Sequence, residues 1–427
     1  MNTQEVVSKL SSKTTTEQFK KMYGDKTEII NTQMARYKAL IERFSSEFPG
    51  FDDVSLFSTP GRTEVGGNHT DHNAGRVLAA AVDLDIISAV SPSKDEAIEI
   101  RSEGYPVIHI DTHDLEIKAE EKYTSAALVR GVCARLKQKG YQIGGFRASI
   151  DGKVPKGSGL SSSAAFEVMM VTILNAFYND GKIDNTETAQ IAQYSENEYF
   201  GKPCGLMDQT ACAYGGLVFI DFKDFEKPVI EKINYDFSEE GYTIVIIDTG
   251  GDHADLNQDY AALENEMKSV AKNLGGNVLR EFSDKQVIEN LKSLREKVSD
   301  RAVLRAFHFF NDDQRVVKEV EALKSQNIDE FLSLIKASGE SSWMLCQNCY
   351  SPRHTDDQGI SVGLAVSAQL LDKGAWRVHG GGFAGTIQVF VHKDALSTFL
   401  KHMQKVFGEK ACHEVFIRSV GSTQINL

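Results

Sequence analysis

The sequence predicts an α+β protein, and three observations carry that prediction. Short strand-like apolar runs and longer helical periodicities are mixed along the whole chain, helices dominate the second half, and no segment repeats at a fixed period. With 427 residues there is room for two or three domains of roughly 150 residues each. Residues 1–50 read as a charged, helical lead-in, because Val6, Leu10, Phe19, Met22, Ile29, Met34, Tyr37, Leu40, Ile41 and Phe44 recur at helix-like intervals. From Phe51 the texture changes to short strands and glycine turns. Phe146, Ala148 and Ile150 alternate with their neighbours, as in a half-buried strand running into a turn at Pro155. Ala164 to Phe177 holds neither glycine nor proline and is apolar enough for a buried helix. A second helix is expected from Thr186 to Phe200, stopped by Gly201 and Pro203.

Leu217–Phe222 and Thr243–Asp248 read as strands, the second carrying the buried run Ile244 to Ile247. The polar stretch Asp224–Glu240 between them is the expected boundary, dividing the chain into domains 1–238 and 239–427. The remainder predicts helices over Asp255–Leu274, Val303–Ser325, Ile328–Ser338 and Ser361–Leu371. Two late strands are expected at Ile387–His392 and Glu414–Ser419.

Composition excludes several classes. An apolar fraction of 41%, a charged fraction of 25% and only 8 prolines leave no place for a disordered or fibrous chain. Sixty acidic against 47 basic side chains give a net charge of −13, so no global field would hold a nucleic-acid backbone. The most apolar stretch, Val77 to Val90, is interrupted by Asp83 and Asp85 and falls short of the ~18 residues a membrane span needs. Met1 to Lys13 lacks the apolar core of a secretory signal, and six cysteines in so long a chain make no disulfide scaffold. A cytoplasmic setting is expected. The oligomeric state is left open, with a monomer sufficient.

Three glycine-rich segments carry the chemistry. Gly157-Ser158-Gly159-Leu160-Ser161-Ser162-Ser163 lies between a strand and a helix. There the backbone can turn tightly, and its amides, with the positive end of the helix dipole, face one anion. Three hydroxyls stand ready for phosphate oxygens or hydrated Mg²⁺. The alternative is a serine-capped helix or linker. The loop lacks a Gly-Lys-Ser/Thr ending, which disfavours a Walker-type ATPase. The second segment runs from Pro60 to Gly75 and crowds Arg62, Asn68, His69, Asp71 and His72 among glycines. That density suits a polyhydroxylated ligand, each of whose hydroxyls seeks a donor and an acceptor. Metal ligation by the two histidines is the weaker alternative, since no matching Cys/His group accompanies them. The third segment, His379 to Gly385, permits close backbone approach to a ligand, or is a tight turn.

These segments resemble the three motifs of the GHMP small-molecule kinases. The matching stretches are Pro60-Gly61-Arg62 with His69-Thr70-Asp71-His72-Asn73, then Pro155 to Ala164, then Gly380 to Gly385. Within that group the chain most resembles the galactokinases, because Gly201-Lys202-Pro203-Cys204-Gly205-Leu206-Met207-Asp208-Gln209 is similar to their segment bearing the catalytic aspartate. The resemblance implies a two-domain GHMP kinase fold, with a mixed-sheet N-terminal domain, a helix-rich C-terminal domain and the active site between them. It implies ATP as co-substrate, Mg²⁺, and phosphorylation of a sugar, best galactose, at O1. By position, Arg62 and Asp208 become the catalytic pair. Asn68, His69, Asp71 and Tyr260 become sugar contacts, Gly157 to Ser163 the triphosphate loop, and Ser162 with Glu196 the metal ligands.

The chain departs from the family where it matters. Asn68 stands where the family has a glutamate, and Glu64, Val65 and Gly66 replace its asparagine, leucine and isoleucine. These changes open a uronic acid, arabinose or an amino sugar as alternative substrates. A non-catalytic sugar sensor on the same fold is a further alternative, disfavoured because Arg62, Asp208, Glu196 and the three serines are all retained. Cys346 and Cys349 have no second pair to make a zinc site, and His109 and His113 read as surface. The Phe307 to Phe310 run reads as packing.

Overall fold

The computed structural model describes residues 1–155, 159–251 and 256–427. The lead-in folds into α1 (Thr3–Lys9), α2 (Lys13–Tyr23) and α3 (Thr27–Glu47). Asn2 and Glu5 close a capping box on α1, and the Ser12 side chain caps α2. The apolar stripe read from the sequence, Phe19, Tyr37, Leu40, Ile41 and Phe44, is fully buried against Leu56, Ile87 and Ala89 of the first sheet.

That sheet begins with β1 (Ser55–Gly66), β2 (Arg76–Ser93), β3 (Ala97–Ser102) and β4 (Ile108–Asp111). After α4 (Ser125–Gln138) and β5 (Gly145–Gly152) come three helices, α5 (Ser162–Tyr178), α6 (Asn185–Tyr194) and α7 (Met207–Tyr214). The hairpin β6 (Leu217–Asp221) and β7 (Val229–Ile233) follows. Strand β2 organises the sheet because its length serves three neighbours: it pairs with β1 over Leu78–Val90, with β6 over Arg76–Ala80 and with β5 over Ile86–Ser93. β3 runs parallel to β5, and the other pairings are antiparallel. Helix α5, apolar nearly all round, is sunk in the core beneath this sheet.

The second half runs β8 (Tyr242–Asp248), α8 (Asn257–Leu274), α9 (Asp284–Glu289), α10 (Leu291–Lys297), α11 (Asp300–Lys324), α12 (Ile328–Ser341) and α13 (Gly359–Leu370). It ends with β9 (Gly374–Val378), β10 (Thr386–His392), α14 (Lys393–Phe407), β11 (Cys412–Val415) and β12 (Thr423–Gln424). Strands β11-β8-β10-β9 form a second, antiparallel sheet with helices on it. The architecture is α+β, as the mixed periodicities predict.

Several boundaries differ from the sequence reading. The expected helix Thr186–Phe200 is α to Tyr194 and then widens into a π-turn, Ser195–Phe200. The polar stretch expected at the boundary contains β7, whose alternation is masked by charged residues on an exposed edge. The last strand is four residues centred earlier than expected, and the chain then crosses back: Ile417 bridges to Val82, and β12 adds to the edge of β1. One core spans both halves. Phe237, in the polar stretch, places its ring 5.2 Å from those of Phe331 and Phe390.

Candidate active site

β1 carries Arg62 immediately after a register shift between Pro60 and Arg62. Its guanidinium grips Asp208 in the first turn of α7 by two parallel bonds, Nε to Oδ1 at 2.7 Å and Nη2 to Oδ2 at 2.6 Å. The third arm, Nη1, donates to the Gly159 carbonyl. Burial alone would push the Asp208 carboxyl up. The Arg62 charge, its hydrogen bonds and the Ser161 hydroxyl more than offset that and hold it below the usual carboxylate range.

The glycine–serine loop is described from Gly159 on, and Gly157 and Ser158 lie outside the described residues. Gly159 sits at φ +69°, and a Cβ there would come within 2.8 Å of His379 Nδ1 and 2.9 Å of Thr386 Oγ1. This is a position that only glycine fills without strain. Ser161, left-handed at φ 55°, precedes α5 and gives its hydroxyl to Asp208 rather than capping the helix. The first amides of α5 are therefore not claimed by a side-chain cap. Leu160 is buried, and its carbonyl accepts from the Arg62 amide at 3.0 Å.

Glu196, 4% exposed, comes from the π-turn after α6, a distortion that often marks functional sites. Its Oε1 accepts from the Ser163 hydroxyl at 3.3 Å and its Oε2 from Gln209 Nε2 at 2.9 Å. Burial raises its carboxyl, Lys202 lowers it and Asp208 raises it, for a net rise. Glu167, one turn into α5 and fully buried, faces the same Gln209 amide at 3.3 Å. The sequence reading missed both Glu167 and Gln209. Their signals were a lone acid in an otherwise apolar helix and the residue beside Asp208. Ser162 is the first residue of α5, beside Ser163. Acidic and hydroxyl oxygens at a helix N-terminus are the donor type Mg²⁺ takes. Among the described residues no three His, Cys, Asp or Glu groups form a dedicated cage, which a cation shared with phosphates does not need.

Across from Arg62, the turn after β1 places His69 at φ 57° and opens a 3-10 turn at Asp71. His69 Nε2 donates to the Gly381 carbonyl at 2.9 Å. Burial, then His72, push that ring down to about 3, so it is neutral and presents Nδ1 as an acceptor. Asp71 lies hard against Gly205, where a Cβ would meet its Oδ2 at 1.9 Å. The missing Cβ leaves room for the carboxylate, and burial first, then the charge of Asp208, raise it to about 6. Tyr260 of α8 closes the wall, its ring packed on Gly381 and its hydroxyl donating to the Gly382 carbonyl at 3.1 Å. The third glycine segment is thus the surface on which His69 and Tyr260 rest.

Asn68 corrects the sequence reading. It is fully buried beneath this wall, and its amide is saturated by protein. Nδ2 donates to Glu64 Oε1 at 2.9 Å and to the Gly380 carbonyl at 2.8 Å, while Oδ1 accepts from Asn348 at 2.8 Å and Ser342 at 3.2 Å. An amide has no further valence for a sugar hydroxyl. His109 and His113 are exposed as expected, beside Glu99 and Glu96, and Cys346 and Cys349 are buried. Of the Phe307 to Phe310 run, Phe309 is core and His308 is buried, bonded to the Asn68 carbonyl and Ser341.

This combination of two-sheet architecture and largely buried arginine–aspartate pair defines a class, the GHMP small-molecule kinases. The family profile described as "GHMP kinases N terminal domain" matches residues 127–216, and the "galactokinase galactose-binding signature" matches residues 42–92. The galactokinase of Clostridium tetani is 31% identical over 372 residues, 84% of this chain and 91% of its own length. That of Lactococcus lactis is 27% identical over 91% of this chain and 96% of its own. The crystal structure of Lactococcus lactis galactokinase complexed with galactose superposes with a TM-score of 0.79 at 26% identity, over 91% of this chain and 99% of that one. Methanococcus jannaschii mevalonate kinase, at 18% identity and a TM-score of 0.60, shares the fold. The chain belongs to the galactokinase family, a family of ATP-dependent sugar kinases.

Proposed function

We propose that the chain phosphorylates D-galactose at the C1 hydroxyl with ATP, yielding galactose 1-phosphate and ADP. The observation that carries this reading is the bidentate Arg62–Asp208 pair, held by Ser161 at the start of α5 and close enough to Asp71 for the Asp208 charge to raise its carboxyl. Asp208 orients the C1 hydroxyl and takes its proton as the O1–phosphorus bond forms and the bond to ADP breaks. A carboxylate held in its low range is a weak base. Proton transfer therefore comes late, after bond formation has acidified the hydroxyl, as suits a loose transition state. Arg62 keeps Asp208 ionised and lies where negative charge develops.

The sugar is gripped by His69 Nδ1, Asp71 and Tyr260, and the amides from Gly159 to Ser163 receive phosphate oxygens, with Gly157 and Ser158 assigned to the same loop by resemblance. Glu196 with Ser162 or Ser163 would hold Mg²⁺, which supplies charge neutralisation on the β- and γ-phosphates. The pocket's charge favours a neutral hexose. Asp71, Asp208 and Glu264, the last paired with Lys268, lie near one another, and a uronate carboxylate would be repelled there. The cytoplasm, where ATP is present and thiols stay reduced, is the setting this reading implies.

The test is ADP release across galactose, glucose, arabinose, galacturonate and galactosamine. The expected result is turnover highest with galactose and negligible with galacturonate. Galactose binding without ADP release would overturn the assignment in favour of a sensor.

A further inference from the structure

Glu64 and Asn68, two of the departures flanking the sugar turn, meet in one buried polar network, and a third, Gly66, lies beside it. Relative to the family pattern the amide and carboxylate have traded places, and in this chain the two side chains bond each other, Asn68 Nδ2 to Glu64 Oε1 at 2.9 Å. The exchange is anchored from the second half. Arg377 of β9, 0% exposed, donates to Glu64 Oε1 at 2.5 Å and to the Val65 carbonyl at 2.6 Å. Asp312 of α11 accepts from the Asn68 backbone N–H at 2.7 Å. Gly66 leaves room for Glu319 of α11, whose Oε2 would lie 1.9 Å from any Cβ at that position.

We propose that Asn68 and Glu64 form a matched amide–carboxylate latch of positioning residues, which fixes the sugar turn against the glycine segment at 380–382. Three features support it. Asn68 bonds both the Gly380 carbonyl and Asn348, and Asn348 in turn donates to the Gly381 carbonyl at 3.3 Å. The same Gly381 carbonyl receives His69 Nε2, one residue along from Asn68. The latch therefore sets the height and orientation of the His69 ring without touching the sugar. Its chemistry is also directional: a carboxylate at 68 could keep Asn348 and Ser342 as donors to one oxygen, but its second oxygen would face two acceptors, Glu64 Oε1 and the Gly380 carbonyl, unless the amide moved to 64.

The inference rests on the sugar-kinase reading, and wild-type turnover with galactose is the control that tests that reading separately. The experiment is a double-mutant cycle of Asn68→Glu, Glu64→Asn and the combined exchange, assayed for galactose and ATP KM, kcat and thermal midpoint. Asn68→Glu is expected to raise galactose KM by 30-fold or more with ATP KM within twofold, and the exchange to recover at least tenfold of that loss. A folded exchange variant beside an unfolded Asn68→Glu is the same rescue read by stability. If Asn68→Glu leaves galactose KM within threefold of wild type, or if the exchange is no better than the product of the single effects, the latch is refuted. Asn68→Ala covers failure to fold, assayed with each monodeoxygalactose. A positioning role gives the same fold-loss for all of them. A loss that vanishes for one deoxy sugar reveals a direct contact and overturns the proposal.

Discussion

Asp208 is the residue on which turnover is expected to depend most sharply. Asparagine at this position keeps the shape and a hydrogen bond to Arg62 but removes the proton acceptor. Asp208→Asn should therefore lower kcat by about 10² or more. Galactose affinity, measured by calorimetry, should stay within a few-fold. Asp71 gives the site its acid limb. Burial and the neighbouring Asp208 raise its carboxyl to about 6, so galactose KM should climb as pH falls below that value. Asp71→Asn should flatten this slope. Stability runs the other way: the native state holds the proton more tightly than the unfolded chain does. This group's contribution therefore favours folding as pH drops from about 6 toward 4. A KM–pH profile beside a denaturation series separates the two trends.

At the scale of elements, the site depends on backbone approaches that only glycine permits, and the proposed function assigns two of them to different ligands. Gly159→Ala would force a side chain into a left-handed residue against His379 and Thr386. The expected consequence is a several-fold rise in ATP KM, with a stability loss of about 1–3 kcal/mol. Gly205→Ala would instead displace Asp71, so galactose KM should rise while ATP KM holds. Steady-state kinetics with each substrate varied in turn distinguish these outcomes. The elements most legible in the sequence were those with their own periodicity: α5 appears within two residues of its expected ends, and so do β8 and β10. Arg62 and Asp208, 146 positions apart, were expected as a pair only because each sits in a short motif that resembles a known family, and the structure brings them together. The π-turn that carries Glu196 was not legible, since it keeps a helical pattern while its amides reach back five residues instead of four, as Gly201 does to the Glu196 carbonyl at 3.0 Å. Nor was the buried fate of Asn68. Its partners Asn348 and Gly380 lie 280 and 312 positions away, and no local pattern encodes them.

Across the whole molecule, the lead-in and the returning tail meet at one buried acid. Asp85 of β2, 0% exposed, accepts from Tyr23 of α2 at 2.6 Å, from Arg36 of α3 at 2.6 Å and from Arg418 at 3.0 Å. Burial would raise Asp85, but the two guanidiniums more than compensate and keep it ionised. Arg418→Met leaves that charge with one cation instead of two and should destabilise the fold by about 3 kcal/mol. Chemical denaturation would register the loss, and galactose and ATP KM of the remaining folded enzyme should be unchanged. The lead-in, read from sequence only as packing, thus covers the sheet face opposite α5 and is tied to it by charge as well as by apolar area.

The path of the tail has a consequence for biosynthesis. Asp85 leaves the ribosome with Tyr23 and Arg36 already made, but Arg418 follows 333 positions later, as do the residues of β12 that finish the edge of β1. A nascent chain stalled before that point would carry a half-compensated ion inside its first sheet and an open strand edge beside it. Emergence of Arg418 and β12, rather than of the first sheet's own strands, is the moment at which this sheet is closed and its buried acid fully paired.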